Sequence, residues 1–402
     1  MGIIKRVNPS KIFIKYFKAN YFIIMEENLK SLIDFYHPNE SEKFPNIDSL
    51  KLTYKYLTPP EPNPKKVRIF YRNLQNPTLP IKASICFVHG FGEHSGKHLN
   101  TAAQFALSQF EVHLIDLRTF GLSGGARCGH TMQEFQEDVL LMLQQANPSL
   151  PCFLIGHSLG GLILTTILIN NPELPISGAI LSAPAYESSS AQVDEIKFYF
   201  MQKVAGVLKE GVFNSYIAFS SLSRDDVFIK NLYNDSTLIP FCGPELMVSI
   251  VAHMRKIMKF ANRIKHPIVF FHGDADVLTS PEATEKVFRV VKSDDKQLVI
   301  IPDAYHEAHH DLDRDNTIRE MVQWAYFRIT DSKLGVIKNL AIGEPGLEKV
   351  TCRYWIILAV AILVYIFAGW KLKRKIILDY KKILILINIV GKIFWPISLL
   401  LR

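Results

Sequence analysis

The chain is poor in cysteine: its 402 residues include only five, and none of them forms a C-x-x-C pair or a zinc-ligand spacing. This scarcity argues against a disulfide framework and predicts free thiols in a reducing compartment. We also expect no secretory signal, because lysines interrupt the apolar stretch near the N-terminus and no small-residue cleavage site follows it. Arg6 replaces the serine or threonine that the N-myristoylation pattern requires, so we expect no lipid there.

The composition nevertheless indicates contact with an apolar environment. Hydrophobic residues make up 48% of the chain and charged residues 21%, and the mean hydropathy of +0.11 is high for a purely soluble protein. The net charge is +8, and basic residues are concentrated near both ends beside apolar and aromatic ones. We therefore expect a membrane bilayer as a partner and no nucleic acid.

Short β-branched runs alternate with helix-period stretches from about residue 50, which predicts a mostly parallel sheet flanked by helices, an α/β fold. Residues 51–57 and 67–72 are expected to form an opening hairpin. Phe135, Val139 and Met142 lie on one face of a predicted helix, as core residues do. Six further strands are predicted at 83–90, 111–117, 152–158, 177–184, 267–273 and 297–303.

One interval is far longer than an ordinary loop. Tyr186 to Lys265 separates two predicted strands by roughly eighty residues, where such loops have two to six. Apolar helical stretches within it predict an inserted helical cap instead of disorder. The core is thereby divided into residues 50–185 and 266–330, with the cap at 186–265.

Both ends of the chain are expected at a membrane. Residues 354–370 are uncharged and would span roughly 25 Å as a helix, the lower limit for a bilayer core. We expect a linker at 331–353 and a membrane-associated tail at 354–402, as one span, a hairpin or an interfacial segment. The basic run 371–375 favours the cytoplasmic side, so a hairpin or surface-lying tail would keep the core on the cytoplasmic face of an intracellular membrane.

Residues 1–49 are predicted to be a basic amphipathic segment. In a helix, Lys11 and Lys15 would share one face, and Phe13 and Phe17 the opposite face, as in helices that lie on a membrane surface. A disordered basic arm is the alternative.

A candidate nucleophile lies in the G-x-S-x-G run Gly156-His157-Ser158-Leu159-Gly160, which follows an apolar strand and precedes a helical stretch. The motif requires this context, because its two glycines let strand and helix approach within a sharp turn that projects the serine hydroxyl. A serine hydroxyl is a weak nucleophile at neutral pH and needs a base that a carboxylate orients. We therefore predict Ser158 as a catalytic nucleophile.

The other two members of such a triad follow the serine in the order acid, then histidine. One downstream strand runs into Asp274 and Asp276, and the residues alone leave both as candidate acids. The next strand runs into His306, which we predict as the base.

Further histidines in the same loop raise the alternative of a metal site. His306, His309 and His310 with Asp311 are suitable ligand types, but their spacing is irregular for a zinc site. We predict no metal ion here and no cofactor.

Backbone N–H groups are expected to bind the oxyanion that forms when a serine attacks a carbonyl carbon. The predicted donors are Leu159, directly after the nucleophile, and Phe91, in the glycine-containing loop after strand 83–90. The polar side chains of that loop, His89, His94 and Lys97, are expected to serve loop structure and not proton transfer.

Five motifs in this order, FVHGFGEHSGK, DLRTFGLSGGAR, IGHSLGG, HGDAD and AYHEAHH, together resemble the monoacylglycerol lipase group of α/β-hydrolases. The resemblance runs from about residue 66 to residue 329. It implies an α/β-hydrolase fold with a catalytic triad of Ser158, Asp276 and His306, because the family's Gly-x-x-Asp selects Asp276 over Asp274. It also implies that Phe91 and Leu159 supply the oxyanion hole.

The chain departs from the family pattern at two aromatic residues. Phe91 stands where family members usually have a small residue, and Phe120 departs from the family's G-H-G-x-S-x-G-x-R run. A backbone donor tolerates a large side chain, but the ring of Phe91 is expected to narrow the acyl or alcohol pocket.

The resemblance implies a membrane-associated serine hydrolase that cleaves the ester bond of monoacylglycerols and releases fatty acid and glycerol. A lysophospholipase, another lipid carboxylesterase or an acyltransferase are alternatives, because the motifs define acyl chemistry and not the leaving group. The alternative from another class is a non-catalytic membrane or protein-binding member of the same fold.

Overall fold

The computed structural model describes residues 28–60, 67–125, 130–189, 202–203, 205, 213–214, 217–329, 333–335, 337 and 339–345. All of them belong to the first of the chain's two units, Met1–Gly346. The predicted amphipathic face within residues 1–27 and the predicted membrane-associated tail at 354–402 lie outside these ranges. Among the helices in these ranges, none combines the length and the apolar character that crossing a membrane requires.

The centre of the molecule is a sheet whose strands are mostly parallel. The described strands are β1 (Lys51–Leu57), β2 (Ile69–Gln75), β3 (Ala83–Val88), β4 (Phe110–Ile115), β5 (Cys152–His157), β6 (Gly178–Ser182), β7 (Phe213–Asn214), β8 (Phe241–Cys242), β9 (Ile268–Gly273) and β10 (Lys296–Ile301). Eight of them form one sheet in the order β1-β2-β4-β3-β5-β6-β9-β10, and β7 pairs with β8. β2 is antiparallel to both of its neighbours, and the pairs from β4 to β10 are parallel. The carboxyl ends of β3, β5, β9 and β10 therefore meet at one edge, where ligands bind in such sheets.

Helices cover both faces of the sheet. The described α-helices are α1 (Leu29–Tyr36), α2 (Leu99–Leu107), α3 (Met132–Leu143), α4 (Leu159–Asn170), α5 (Asp226–Asn234), α6 (Pro244–Phe260), α7 (Pro281–Val290) and α8 (Arg314–Tyr326). One core cluster contains apolar residues of α3, α4, α6 and α7, and a second contains residues of α1, α2 and α8. Every residue of α4 from Leu159 to Ile169 is buried, so this helix is held on all sides.

These elements confirm the predicted α/β-hydrolase fold class. The six core strands begin and end within about two residues of the predicted positions, and β1 and β2 form the predicted hairpin with Lys51 opposite Gln75. The predicted helical stripe is buried at Phe135, Val139 and Met142. Within the interval predicted as a cap, the structure describes α5, α6 and the β7–β8 pair.

The N-terminal part differs from the sequence prediction. The sequence pattern assigns residues 1–49 to one basic segment, whereas the structure packs residues 28–49 against the core. Asn28 caps α1 by accepting a hydrogen bond from the Ser31 N–H, and Ile33, Tyr36 and Ile47 are buried.

Candidate active site

Ser158 lies in the sharp turn between β5 and α4. Its backbone has φ 50° and ψ −114°, a combination that L-residues rarely adopt and that marks a strained turn. The turn is possible because a Cβ at Gly160 would collide with the Val88 carbonyl oxygen, so only glycine lets α4 approach β3 this closely. The tight packing fixes Ser158 at the carboxyl edge of the sheet.

His306 and Asp276 are joined at the same edge. The His306 Nδ1 lies 2.7 Å from the Asp276 Oδ2, and both side chains are buried. Asp276 follows β9 and His306 follows β10, so the parallel pairing of these strands brings together residues 30 positions apart. The Nδ1–H that Asp276 binds leaves Nε2 as the basic nitrogen.

Asp276 is held in place by several donors. Its Oδ1 accepts hydrogen bonds from the N–H groups of Leu278 at 2.8 Å and Thr279 at 3.1 Å. Its Oδ2 accepts the Thr279 hydroxyl at 2.8 Å and lies 3.1 Å from the His272 Nε2. Burial alone would raise the pKa of Asp276, but His306 and the hydrogen bonds outweigh it and hold this pKa well below its usual range.

Asp274, the other candidate acid, is exposed and faces away from this pair. Its Oδ1 accepts the Asp303 N–H at 2.6 Å, which links the turns after β9 and β10. The structure thus brings Asp276 to His306 and gives Asp274 a hydrogen bond of the kind that aspartates make in turns.

The pKa of His306 reflects two opposing effects. Burial lowers it, but the carboxylate of Asp276, with smaller contributions from Glu307 and Glu93, outweighs burial and raises this pKa above its ordinary value. A partner that stabilises the imidazolium makes His306 a stronger base.

The two predicted oxyanion donors are at the mouth of the same turn. Leu159 is the first residue of α4, so its N–H has no partner within the helix. Within the described ranges, neither the Leu159 nor the Phe91 N–H donates a hydrogen bond to another protein group. Both residues line the cavity that contains Ser158, so both N–H groups are available to an oxygen bound beside it.

A cavity of about 320 Å³ connects these groups. Ser158 and His306 both line it, although no hydrogen bond joins their side chains within the described residues; such bonds commonly tighten only when substrate binds. The wall opposite the sheet is apolar and comes from the interval between β6 and β9. Its residues include Leu232, Leu238, Met247, Ile250 and Met254.

The family profile of the serine aminopeptidases S33, Hydrolase_4, matches residues 80–313, more than half of the chain. The chain belongs to this family.

Relatives of this chain include a monoacylglycerol lipase of Mycolicibacterium smegmatis. The two are 25% identical over 263 residues, which cover 64% of this chain and 92% of that protein. An uncharacterized abhydrolase domain-containing protein of Dictyostelium discoideum is 23% identical over 64% of this chain, which spans only 28% of that longer protein. This chain superposes on the crystal structure of the Paleococcus ferrophilus monoacylglycerol lipase with a TM-score of 0.58 and 26% sequence identity. The match covers 65% of this chain and 99% of that one. The chain is therefore a monoacylglycerol lipase-like serine ester hydrolase.

The hydrolase also has charged residues at this cavity that the sequence pattern does not assign to the site. The buried Lys97 ammonium is 2.7 Å from Glu307 Oε1 and also pairs with Glu93, and all three residues line the cavity. Burial would lower the pKa of Lys97, but the two carboxylates outweigh it and raise this pKa. Burial raises the pKa of Glu307 to about 7, against the opposing effect of Lys97.

The only sequence signal for these charged residues was that they lie close in the chain to predicted site residues. Glu93 and Lys97 lie in the loop that carries Phe91, and Glu307 directly follows His306. A charged residue beside a catalytic residue is also common on solvated loops, so burial could not be predicted.

Proposed function

We propose that the hydrolase cleaves the ester bond of monoacylglycerols. The observation that carries this proposal is the composition of the cavity, which has an apolar wall on one side and Ser158, His306, Glu93 and Lys97 on the other. An acyl chain fits the apolar wall, and a small polyol leaving group suits the charged end. The monoacylglycerol lipases among the relatives support the same substrate class.

The geometry supports a two-step acyl transfer. Ser158 attacks the ester carbonyl while the Nε2 of His306 takes its proton, and Asp276 stabilises the imidazolium that forms. The N–H groups of Phe91 and Leu159 bind the oxyanion. His306 then gives the proton to the leaving glycerol. In the second step His306 takes a proton from water, which attacks the acyl group on Ser158, and returning this proton to Ser158 releases the fatty acid.

Membrane association is the second part of the proposal. The apolar stretch 354–370 and the basic runs at both ends of the chain would hold the hydrolase on the cytoplasmic face of an intracellular membrane. There the hydrolase would take its substrate from the bilayer. A chain that ends at Ile329 should appear in the soluble fraction if the tail is the anchor, and unchanged pelleting with membranes would contradict this role.

A substrate panel tests the activity. The detergent-solubilised full chain is assayed with monoacylglycerols, lysophospholipids and diacylglycerols of the same acyl chain, with Ser158→Ala as the matched control. We expect the highest kcat/KM for a monoacylglycerol and no turnover by the control. A preference for lysophospholipids, or turnover that persists in Ser158→Ala, would reject the proposed substrate or the proposed nucleophile, respectively.

A further inference from the structure

Three buried imidazoles converge beside His157, the residue that precedes Ser158. His98 Nδ1 lies 3.2 Å from His309 Nε2 and 3.4 Å from His310 Nε2. His98 precedes α2, and the other two lie in the turn between β10 and α8. The exposed fraction of each residue is at most 1%. None of the three belongs to the triad or has an assigned role in the proposed reaction.

Two of the three nitrogen–nitrogen separations in this cluster match those of a metal coordination sphere. Zinc binds histidine nitrogen at about 2.0–2.1 Å, so two nitrogens at corners of a tetrahedron around it are about 3.3–3.4 Å apart. The separations from His98 Nδ1 to His309 Nε2 and to His310 Nε2, 3.2 and 3.4 Å, agree with that value. The ligand atoms of all three histidines lie within 4.8 Å of one another.

Hydrogen bonds alone do not satisfy the nitrogens of the three histidines well. His98 Nε2 is 3.1 Å from the Glu93 Oε1, a carboxylate oxygen that accepts the proton of this nitrogen. The Nδ1 of a neutral His98 then has one lone pair, which faces the Nε2 atoms of both His309 and His310. One lone pair accepts well from only one N–H, whereas a metal ion accepts lone pairs from all three nitrogens.

The outer nitrogens have the partners that metal-bound histidines usually have. Glu93 orients His98, and the Ser182 hydroxyl is 3.3 Å from His309 Nδ1. His37 Nε2 is 3.0 Å from His310 Nδ1. Each outer nitrogen can therefore carry the proton, which leaves the inner nitrogen of each ring free to bind a metal.

A neighbouring cluster of possible ligands, by contrast, is not free to bind a metal ion. Glu93, His157 and Glu307 also place ligand atoms close together, but the Lys97 ammonium pairs with both carboxylates. Lys97 already provides the positive charge there, so a metal ion would have to displace it.

We propose that His98, His309 and His310 form a binding site for a divalent transition-metal ion of the zinc class, with solvent as the fourth ligand. This proposal differs from the sequence prediction of no metal. That prediction considered His306 and Asp311 as co-ligands, but His306 bonds Asp276, and Asp311 accepts from Arg224 Nε at 2.9 Å and from the Tyr305 N–H at 2.8 Å. The third ligand lies 211 residues before His309, which no loop spacing reveals.

The metal would connect two loops of the active site. His309 is three residues after His306, and His98 is in the segment that contains Phe91 and Glu93. A metal between them would hold the base loop against the oxyanion loop. The role is therefore structural, and it does not depend on which ester is cleaved.

Cobalt titration tests the site without an activity assay. The tag-free full chain in detergent is stripped with a chelator, dialysed and titrated with Co²⁺ while visible absorption is recorded. We expect saturation at about one Co²⁺ per chain, with the intense bands of a four-coordinate nitrogen-ligated ion, and displacement of these bands by Zn²⁺. Zn²⁺ should also raise the unfolding temperature.

Matched variants locate the ion. His98→Gln and His310→Gln should each lose the bands, while Glu307→Gln should keep them. His266→Gln should keep them too, because His266 is also buried but bonds the Leu174 carbonyl at 2.9 Å. Absence of the bands in folded wild-type chain, or their persistence in both ligand variants, would overturn the proposal and leave a purely hydrogen-bonded histidine cluster. The wild-type titration decides even if a variant fails to fold.

Discussion

The rings of Phe91 and Phe120 meet edge to face, with their centroids 5.4 Å apart. Both residues lie at positions where the resemblance to the monoacylglycerol lipase group predicts a different residue, and the structure brings the two rings into contact. Phe120 is buried and also contacts Phe135 of α3 at 5.9 Å between centroids. The side chain of Phe91 therefore rests on an aromatic group at the site where its N–H is expected to serve the oxyanion.

A double-mutant cycle on Phe91→Ala and Phe120→Ala tests this coupling. Edge-to-face pairs contribute about 0.5–1.5 kcal/mol beyond area burial, so the free energies of unfolding should be non-additive by about that amount. Phe91→Ala should also widen the cavity and raise kcat/KM for bulky esters relative to small ones. Additive free energies in chemical denaturation would show that the two rings do not stabilise each other.

The two aspartates after β9 provide a matched pair of variants. Asp276→Asn should lower kcat by about three to four orders of magnitude, because an amide favours the wrong His306 tautomer. Asp274→Asn keeps an oxygen that accepts the Asp303 N–H, so its kcat should stay within about twofold of wild type. Steady-state kinetics on both variants checks this, and equal losses would mean that the acid has been assigned to the wrong residue.

Because the pKa of His306 is raised, we predict that increasing pH raises the activity and lowers the stability. The base must be neutral, so kcat/KM should rise with pH through a value above the ordinary histidine pKa of 6.5. The imidazolium–Asp276 pair stabilises the fold fully below that ordinary value, and this contribution is lost as pH rises through the raised pKa. In Asp276→Asn the acidic limb of the residual activity should shift to lower pH. An unchanged limb would show that Asp276 does not set this pKa.

The ion pairs of Lys97 predict a large loss of stability on mutation. Lys97→Met would leave the carboxylates of Glu93 and Glu307 buried without their cation, and breaking buried pairs in this way costs about 3–5 kcal/mol. Lys82→Met is the control, because the ammonium of exposed Lys82 contacts Tyr326 at the surface, its hydroxyl at 2.8 Å and its ring at 4.9 Å from the centroid, and neutralises no buried carboxylate there. The free energy of unfolding in urea measures both, and similar small losses would show that the Lys97 pairs contribute little.

The sequence was sufficient for the parts of the molecule that local pattern determines. Apolar runs marked the core strands, and the glycines around Ser158 marked the turn that the structure places between β5 and α4. Position directly after a strand marked Asp276 and His306, because parallel strands end at one edge. The choice between Asp274 and Asp276 came from the family resemblance and not from the residues themselves.

The features that could not be predicted from the sequence depend on contacts between segments that are far apart in the chain. Nothing near Lys97 indicates that its partner Glu307 lies 210 residues later, and nothing near His98 indicates His309. The packing of residues 28–49 against the core was missed for the same reason.

The central claim is that Ser158 is a nucleophile activated by His306, and covalent labelling measures this most directly. The purified full chain is treated with a fluorophosphonate, and the adduct is located by peptide mass spectrometry in wild type, Ser158→Ala and His306→Ala. We predict one adduct, on Ser158, that is absent in Ser158→Ala and forms orders of magnitude more slowly in His306→Ala. A folded wild-type chain that remains unlabelled, or an adduct on another residue that persists in Ser158→Ala, would contradict the claim.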